Sequence, residues 1–188
     1  MAKHEQHILQ HNDTTLAFLL AGRCYVTLEQ IADGVRHTYF VEQKVERGLV
    51  DDPKHPGRKV ETIVKRFDFW FVSLVKGAIG DTKPIYLGVI DPQSFRTTKG
   101  TAKNQLATAE NVNLFGDILR DLRAKKSNAH KVRIWHVGLC GRCSRDLKVP
   151  ESIATGLGPT CAAEMGIKMV SVEPTVVEKI AALDEEGN

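Results

Sequence analysis

RCYVTLEQIADGVRHTYFVEQKVE, residues 23–46, sets two runs of alternating side chains on either side of Asp33-Gly34. A period of two is the pattern of a half-buried strand, and Asp-Gly between two such runs is hairpin chemistry. RCYVTLEQ and VRHTYFVEQKVE are therefore expected to pair as antiparallel strands. Further on, FDFWFVSLVKG and IYLGVIDPQSFRTT repeat the pattern around the turn-rich GAIGDTKP and add two or three strands. Between the two pairs, residues 47–66 (RGLVDDPKHPGRKVETIVKR) hold two prolines, two glycines and many charges. Such composition predicts a long surface loop with at most one short strand.

The period changes in TAENVNLFGDILRDLRAKK, where Val112, Phe115, Ile118, Leu119 and Leu122 recur at helical spacing while Arg120, Asp121 and Arg123 lie off that stripe. Thr108 and Glu110 suit its start, and Arg123, Lys125 and Lys126 suit the negative end of its dipole. KVRIWHVG returns to strand alternation and leads into three cysteines. EPTVVEKIAALDEEG carries an apolar stripe through Val176, Val177, Ile180 and Leu183, which predicts a terminal helix with an acidic tail. At the other end, the polar first residues include His4, His7 and His11, spaced to share one helical face, and a frayed terminus is expected there. The fold class expected is α+β: an antiparallel β-rich domain with one packed helix, followed by a zinc-knuckle or treble-clef-like module and a terminal helix. The expected divisions are a flexible terminus over 1–14, the β-rich domain over 15–130, the zinc module over 131–170, and the helix and acidic tail over 171–188.

With 42% hydrophobic and 26% charged residues in 188, the composition is that of a globular chain, and no apolar run approaches a membrane span. MAKHEQHILQHNDTT lacks the pattern of a secretory signal, so a cytoplasmic location is expected. In that compartment three clustered cysteines point to metal binding before disulfides, with an oxidised site as the alternative.

Cys140-Gly141-Arg142-Cys143 has the C-x2-C spacing that brings two thiolates to one ion while backbone amides donate to the sulfurs. Cys161 follows in GLGPTCAAEMG, which reads as a loop entering a short helix, where the dipole and free amides stabilise a thiolate. His136, four residues before Cys140 at a strand end, is the expected fourth ligand of a structural zinc ion. If His136 instead points into the core, water is left to take the open position. His130, Glu164 and Cys24 are poorer candidates, and Cys24 reads as a small buried hydrophobe.

HVGLCGRCSRDLKVPESIATGLGPTC resembles a C-terminal module, H-x-G-x-C-G-R-C-G-R-x-L-x-x-P-E-S-I-x-x-G-x-G-P-x-C, of phage and prophage proteins of unknown function. FLLAGRCYVTLEQIADGVRHTYFV, FWFVSLVKG, YLGVI and FRTTKG are similar to the partner region of the same proteins. The resemblance implies a phage or mobile-element setting and a zinc module, and it supplies no activity. Ser144 stands where the pattern commonly has Gly. Around a metal, Gly156 and Gly158 are expected to permit turns, Pro159 to fix the approach to Cys161, and Leu147 with Ile153 to form an apolar plug. Zinc then replaces the core that so few residues cannot build.

The formal charge of +3 is mild, but it is segregated. Residues 120–148 hold Arg120, Arg123, Lys125, Lys126, Lys131, Arg133, Arg142, Arg145 and Lys148 against Asp121 and Asp146, a local net of +7 that leaves the remainder at −4. This basic segment is the expected contact for nucleic acid, its cations neutralising phosphates and Trp135 stacking on bases. Tyr25, Tyr39, Phe69 and Trp70 lie in strand patterns that favour burial, and Arg142 and Arg145 equally suit pairing with Glu151 or Glu164. The sequence has no Gly-rich phosphate loop, nucleophile elbow, H-E-x-x-H or deaminase signature, and Asp51-Asp52 and Asp81 form no paired motif. A nonenzymatic binding protein is the reading that follows, and the alternative partner is a host defence complex that the protein antagonises.

Overall fold

In the computed structural model, which describes residues 7–9 and 12–169, seven strands and five helices follow one another along the chain. They are β1 (His7–Ile8), α1 (Asn12–Leu19), β2 (Arg23–Gln30), β3 (Arg36–Asp51), β4 (Lys59–Val75), β5 (Ile85–Ile90), β6 (Phe95–Arg96), α2 (Lys99–Ala102), α3 (Ala109–Arg123), β7 (Val132–His136), α4 (Pro150–Thr155) and α5 (Pro159–Glu164). The strands form one antiparallel sheet in the order β1-β7-β2-β3-β4-β5-β6. The α+β class expected from the alternation is the one observed, with α1 packed beside α3 where one helix was expected.

The period of two sorts the sheet into unlike faces. Cys24, Val26 and Leu28 of β2, Tyr39 and Val41 of β3, Val72 and Leu74 of β4, and Val132 and Ile134 of β7 turn inward and are buried. Phe18 and Leu19 of α1 and Phe115, Ile118, Leu119 and Leu122 of α3 cover them. Tyr39 brings a polar atom into this layer and satisfies it by donating to the Asn111 carbonyl of α3 at 3.2 Å. Thr108 caps α3, its hydroxyl accepting from the Asn111 amide. The other face carries Tyr25, Thr38, Phe40 and Trp135, all half-buried, and Phe71, exposed.

Residues 47–66 are a correction to the expected loop. β3 and β4 stay paired from Gln43↔Trp70 out to Asp51↔Lys59, past the ends of β2 and β5, and so project as a two-stranded arm. The prolines and Gly57 are confined to the tip, where Asp52 takes amide hydrogen bonds from its neighbours, while Val45, Leu49, Val50, Val60 and Ile63 supply the strand-forming residues on either side. Two register shifts near Val45 and Arg47 mark bulges, which increase twist and blunt an exposed ribbon against edge pairing.

Within the segment expected to be a flexible terminus, His7–Ile8 pairs with β7, and α1 begins at Asn12 with Thr14 and Thr15 buried. Val132–His136, within the segment expected as the zinc module, form β7, a strand of the sheet. The helix expected over 171–188, with His4 and His11, lies outside the described residues.

Candidate metal centre and the surfaces around it

After β7 the chain turns at Gly138 (φ 73°) and forms a knuckle, closed by the Leu139↔Asp146 bridge and by the Cys140 amide donating to Arg145 O at 2.8 Å. Pro150 opens α4, and Gly156, in the left-handed region at φ 71°, ends it. Pro159 then opens α5, which carries Cys161 in its first turn. These turns gather Cys140, Cys143 and Cys161, whose sulfurs all lie within 4.8 Å of one another. All four cysteines are free thiols, and Cys24 is buried apart from the cluster, as its strand pattern suggested.

The surroundings of the sulfurs fit a cation. Burial pushes the Cys140 thiol up, but the backbone amides of Gly158, Arg142 and Cys143 donate to its sulfur and bring it net below the usual thiol range. The Cys161 thiol is pushed up to about 12 by burial and by the neighbouring sulfurs of Cys143 and Cys140. Three sulfurs this close resist ionising together unless a cation lies between them, and a bound metal ion removes that cost.

His136 is placed elsewhere. It is 1% exposed, its Nδ1 accepts from the Gly138 amide at 3.2 Å, and its Nε2 donates to the Ile153 carbonyl of α4 at 2.8 Å. Both ring nitrogens are thus occupied by backbone, the neutral Nε2-H tautomer is the one these partners require, and burial lowers the pKa to about 4. The ring also packs against Phe18 and His7. Where a fourth ligand was expected, the structure has a strut tying the sheet to α4.

The module docks through glycines. A β-carbon at Gly141 would lie 2.7 Å from the Phe18 ring, and one at Gly156 2.4 Å from it, so both positions admit only hydrogen. Gly158 differs from expectation: its φ is −70° and its surroundings are open, so its contribution is the amide that donates to Cys140 Sγ at 3.4 Å. The apolar plug is centred on Leu157, fully buried with Cys140, Ala21 and Ala162, with Leu147 at its margin. Ser144, where the resembled pattern has glycine, sits at φ 59°.

The basic segment is divided among four places. Arg120 and Arg123 line a cavity of about 740 Å³ between β6 and α3, where Arg123 Nη2 donates to Asp91 O and Arg120 pairs with Asp117. Lys125 pairs with Asp13, Lys126 gives its carbonyl to Asn12, and Lys131 meets Asp121 at 2.6 Å. Arg133 reaches the open sheet face, and Arg142, Arg145 and Lys148 belong to the knuckle, with Arg142 held by Glu164 at 3.2 Å.

On the open face Glu29 is clamped between Arg133 at 2.7 Å and Arg36 at 2.6 Å. Burial raises its carboxyl, yet the two guanidinium groups outweigh that and hold it below the usual range. Arg36 stacks 5.1 Å over the Trp135 ring, Arg23 5.2 Å over Phe40, and Phe40 packs on Tyr25. Tyr39 and Trp70 are core residues, as their alternation implied, whereas Tyr25 belongs to this aromatic face and Phe69 packs edge-on against the exposed Phe71. The register Tyr25↔Phe40 and Thr27↔Trp135 carries the signal for this platform, but it is visible only once the strands are paired.

The class defined here is an antiparallel α+β sheet protein bearing a three-cysteine cluster able to hold a metal ion. Residues 136–166 match a family of unknown function, DUF6011. No curated protein and no solved structure matches the chain. Among the described residues no helix is long and apolar enough to cross a membrane.

Proposed function

We propose that this is a nonenzymatic, zinc-stabilised, phage-type protein that binds single-stranded nucleic acid across the open face of its sheet. The observation that carries the reading is the arrangement of Trp135, Tyr25 and Phe40 as half-exposed rings with Arg36 and Arg23 stacked on them. Bases stack on such rings irrespective of sequence, and the guanidinium groups beside them meet phosphates. Zinc is the ion that suits three thiolates: sulfurs about 2.3 Å from one tetrahedral centre lie roughly 3.8 Å apart, compatible with the observed cluster. The fourth position then falls to a donor other than His136. The contact moves from the basic segment as a whole to the part of it on the sheet, Arg133 and Trp135, because these two stand in β7 on the face that carries the Tyr25 and Phe40 rings.

A protein-directed reading, antagonism of a host defence complex, is favoured by a different feature: the projecting arm exposes Leu49 and Val64. The two readings part on one titration. Wild-type protein is expected to bind a labelled oligothymidylate with affinity that falls steeply with salt and with quenching of tryptophan fluorescence, and Trp135→Ala is expected to lose about 1–3 kcal/mol of it. Unchanged affinity in Trp135→Ala, or no binding at low salt, rejects the nucleic-acid reading.

A further inference from the structure

Between the base of the arm and the knuckle lies a cleft of about 380 Å³. Four arginines from four separate parts of the chain line it: Arg23 at the start of β2, Arg47 on the outgoing strand of the arm, Arg66 on the returning strand, and Arg142 between two of the cysteines. Gly22 marks how closely the two walls approach, since a β-carbon there would lie 3.3 Å from the Arg142 carbonyl oxygen and 3.5 Å from Arg66 Nη1. The backbone braces the junction, with the Arg23 amide donating to Gly141 O at 2.7 Å and the Gln43 amide to Gly22 O at 2.6 Å.

We infer that this cleft is a phosphodiester-binding site that grips the backbone of a nucleic-acid strand whose bases lie on the neighbouring aromatic face; the inference rests on the nucleic-acid reading above. Three of the arginines have carboxylate partners: Glu42 at 3.6 Å from Arg23, Glu61 at 3.8 Å from Arg47 and Glu164 at 3.2 Å from Arg142. Arg66 donates to the neutral Gln43 Oε1 at 2.9 Å. The carboxylates are half-exposed, and ion pairs of that kind are screened and weak. They spread the guanidinium groups around the cleft and leave donor hydrogens for a phosphate, which guanidinium binds with two parallel hydrogen bonds.

Arg23 supplies the direction of the strand. It lines the cleft and at the same time stacks on Phe40, so one side chain links the cleft to the ring platform. An acidic peptide would meet the arginines equally well, but the rings adjoining them favour a ligand with a flat base on each phosphate-bearing unit. The location also explains why a metal knuckle would border a binding surface. Cys143 and Ser144 form part of the cleft wall, so the fold that the metal holds is the fold that presents Arg142.

The test is anisotropy of a fluorescein-labelled oligothymidylate with metal-loaded full-length protein at several salt concentrations. Arg47→Glu with Arg66→Glu is expected to weaken binding at least about tenfold. Arg47→Gln with Arg66→Gln, which removes charge without reversing it, is expected to make the slope of log affinity against log salt shallower by about 1.4, from roughly 0.7 per phosphate contact on a single strand. Lys54→Glu, at the arm tip, is expected to change neither, and all variants are compared at equal metal content and melting temperature. Wild-type affinity and slope in both double variants would overturn the cleft and leave the sheet-face reading standing. Absence of oligothymidylate binding by the wild type would overturn both. Polyglutamate bound more tightly than oligothymidylate would overturn the inference in favour of an acidic protein partner.

Discussion

Beneath the sheet, twenty buried side chains form one apolar cluster, whereas among the described residues the cysteine module fully buries Cys140, Leu157 and Ala162 with Ala21, and packs Leu147, Cys161, Met165, Ile167 and Met169 partly buried around them. Burial of apolar area scales with the number of side chains enclosed, so the body is stabilised by its own core while the module is far too small for that. The module substitutes two things: three cysteine sulfurs within 4.8 Å of one another, and the Phe18 ring seated against Gly141 and Gly156. The difference teaches where each region fails. The body loses stability in proportion to what is cut from its core, and the module is expected to fail as a unit when the donors go.

The largest effect should come from breaking that unit. Cys140→Ser, Cys161→Ser or a strong chelator is expected to release one metal ion per chain and to remove several of the ~10 kcal/mol that ion binding contributes to modules of this kind. Hydrogen exchange is the appropriate readout: amides of 138–166 should lose protection while those of β2–β5 keep theirs. Retention of protection in a metal-free variant would show that the module has a sufficient core after all.

A second, smaller effect concerns the strut between the two regions. His136 is held neutral with a pKa of about 4, against 6.5 for an exposed imidazole. The unfolded chain therefore binds a proton between these values that the folded chain does not. Stability from this group is complete above pH 6.5 and declines as pH falls toward 4, by at most about 3 kcal/mol at 1.36 kcal/mol per unit. Denaturant melts of wild type and His136→Gln across that window should differ in pH slope, and metal analysis should find the ion retained in the variant. The same slope in both proteins would remove His136 from this role, and loss of the ion would return it to the ligand set.

The smallest effect sharpens the comparison inside the knuckle. Ser144 holds φ 59°, which costs a residue with a β-carbon about 1 kcal/mol. Ser144→Gly is expected to stabilise the metal-bound module by up to about 1 kcal/mol, seen by calorimetry as a slightly raised melting temperature. A lowered melting temperature would mean that the hydroxyl stabilises the turn by more than the strain costs.

The sheet was legible wherever local signals agreed. The Asp33-Gly34 hairpin, the helix capped at Thr108 and the strand at 132–136 all carry period and punctuation together. The arm was misread because two prolines and two glycines in twenty residues dominate the composition, although all but Gly48 fall at the tip and the β-branched residues flank it. The three sulfurs were legible from spacing, since a C-x2-C turn and a cysteine in the first turn of a helix are local geometries. The fate of His136 was not: whether an imidazole meets a metal or a carbonyl depends on where α4 crosses the end of β7, a contact between residues 136 and 153 that no local pattern encodes. The four-arginine cleft was invisible for the same reason, its side chains being drawn from positions 23 to 142.

β7 lies between β1 and β2, so a strand made late in the chain completes the sheet at the edge where the chain begins. During synthesis the meander β2-β3-β4-β5 has every partner it needs within adjacent sequence and can form first. His7–Ile8 must wait for β7, more than a hundred residues later, and β7 is followed at once by Cys140 and Cys143, the first two cysteines of the cluster. On a ribosome, closure of the sheet therefore comes just before the cysteine cluster assembles, a cluster complete only once Cys161 of α5 has followed.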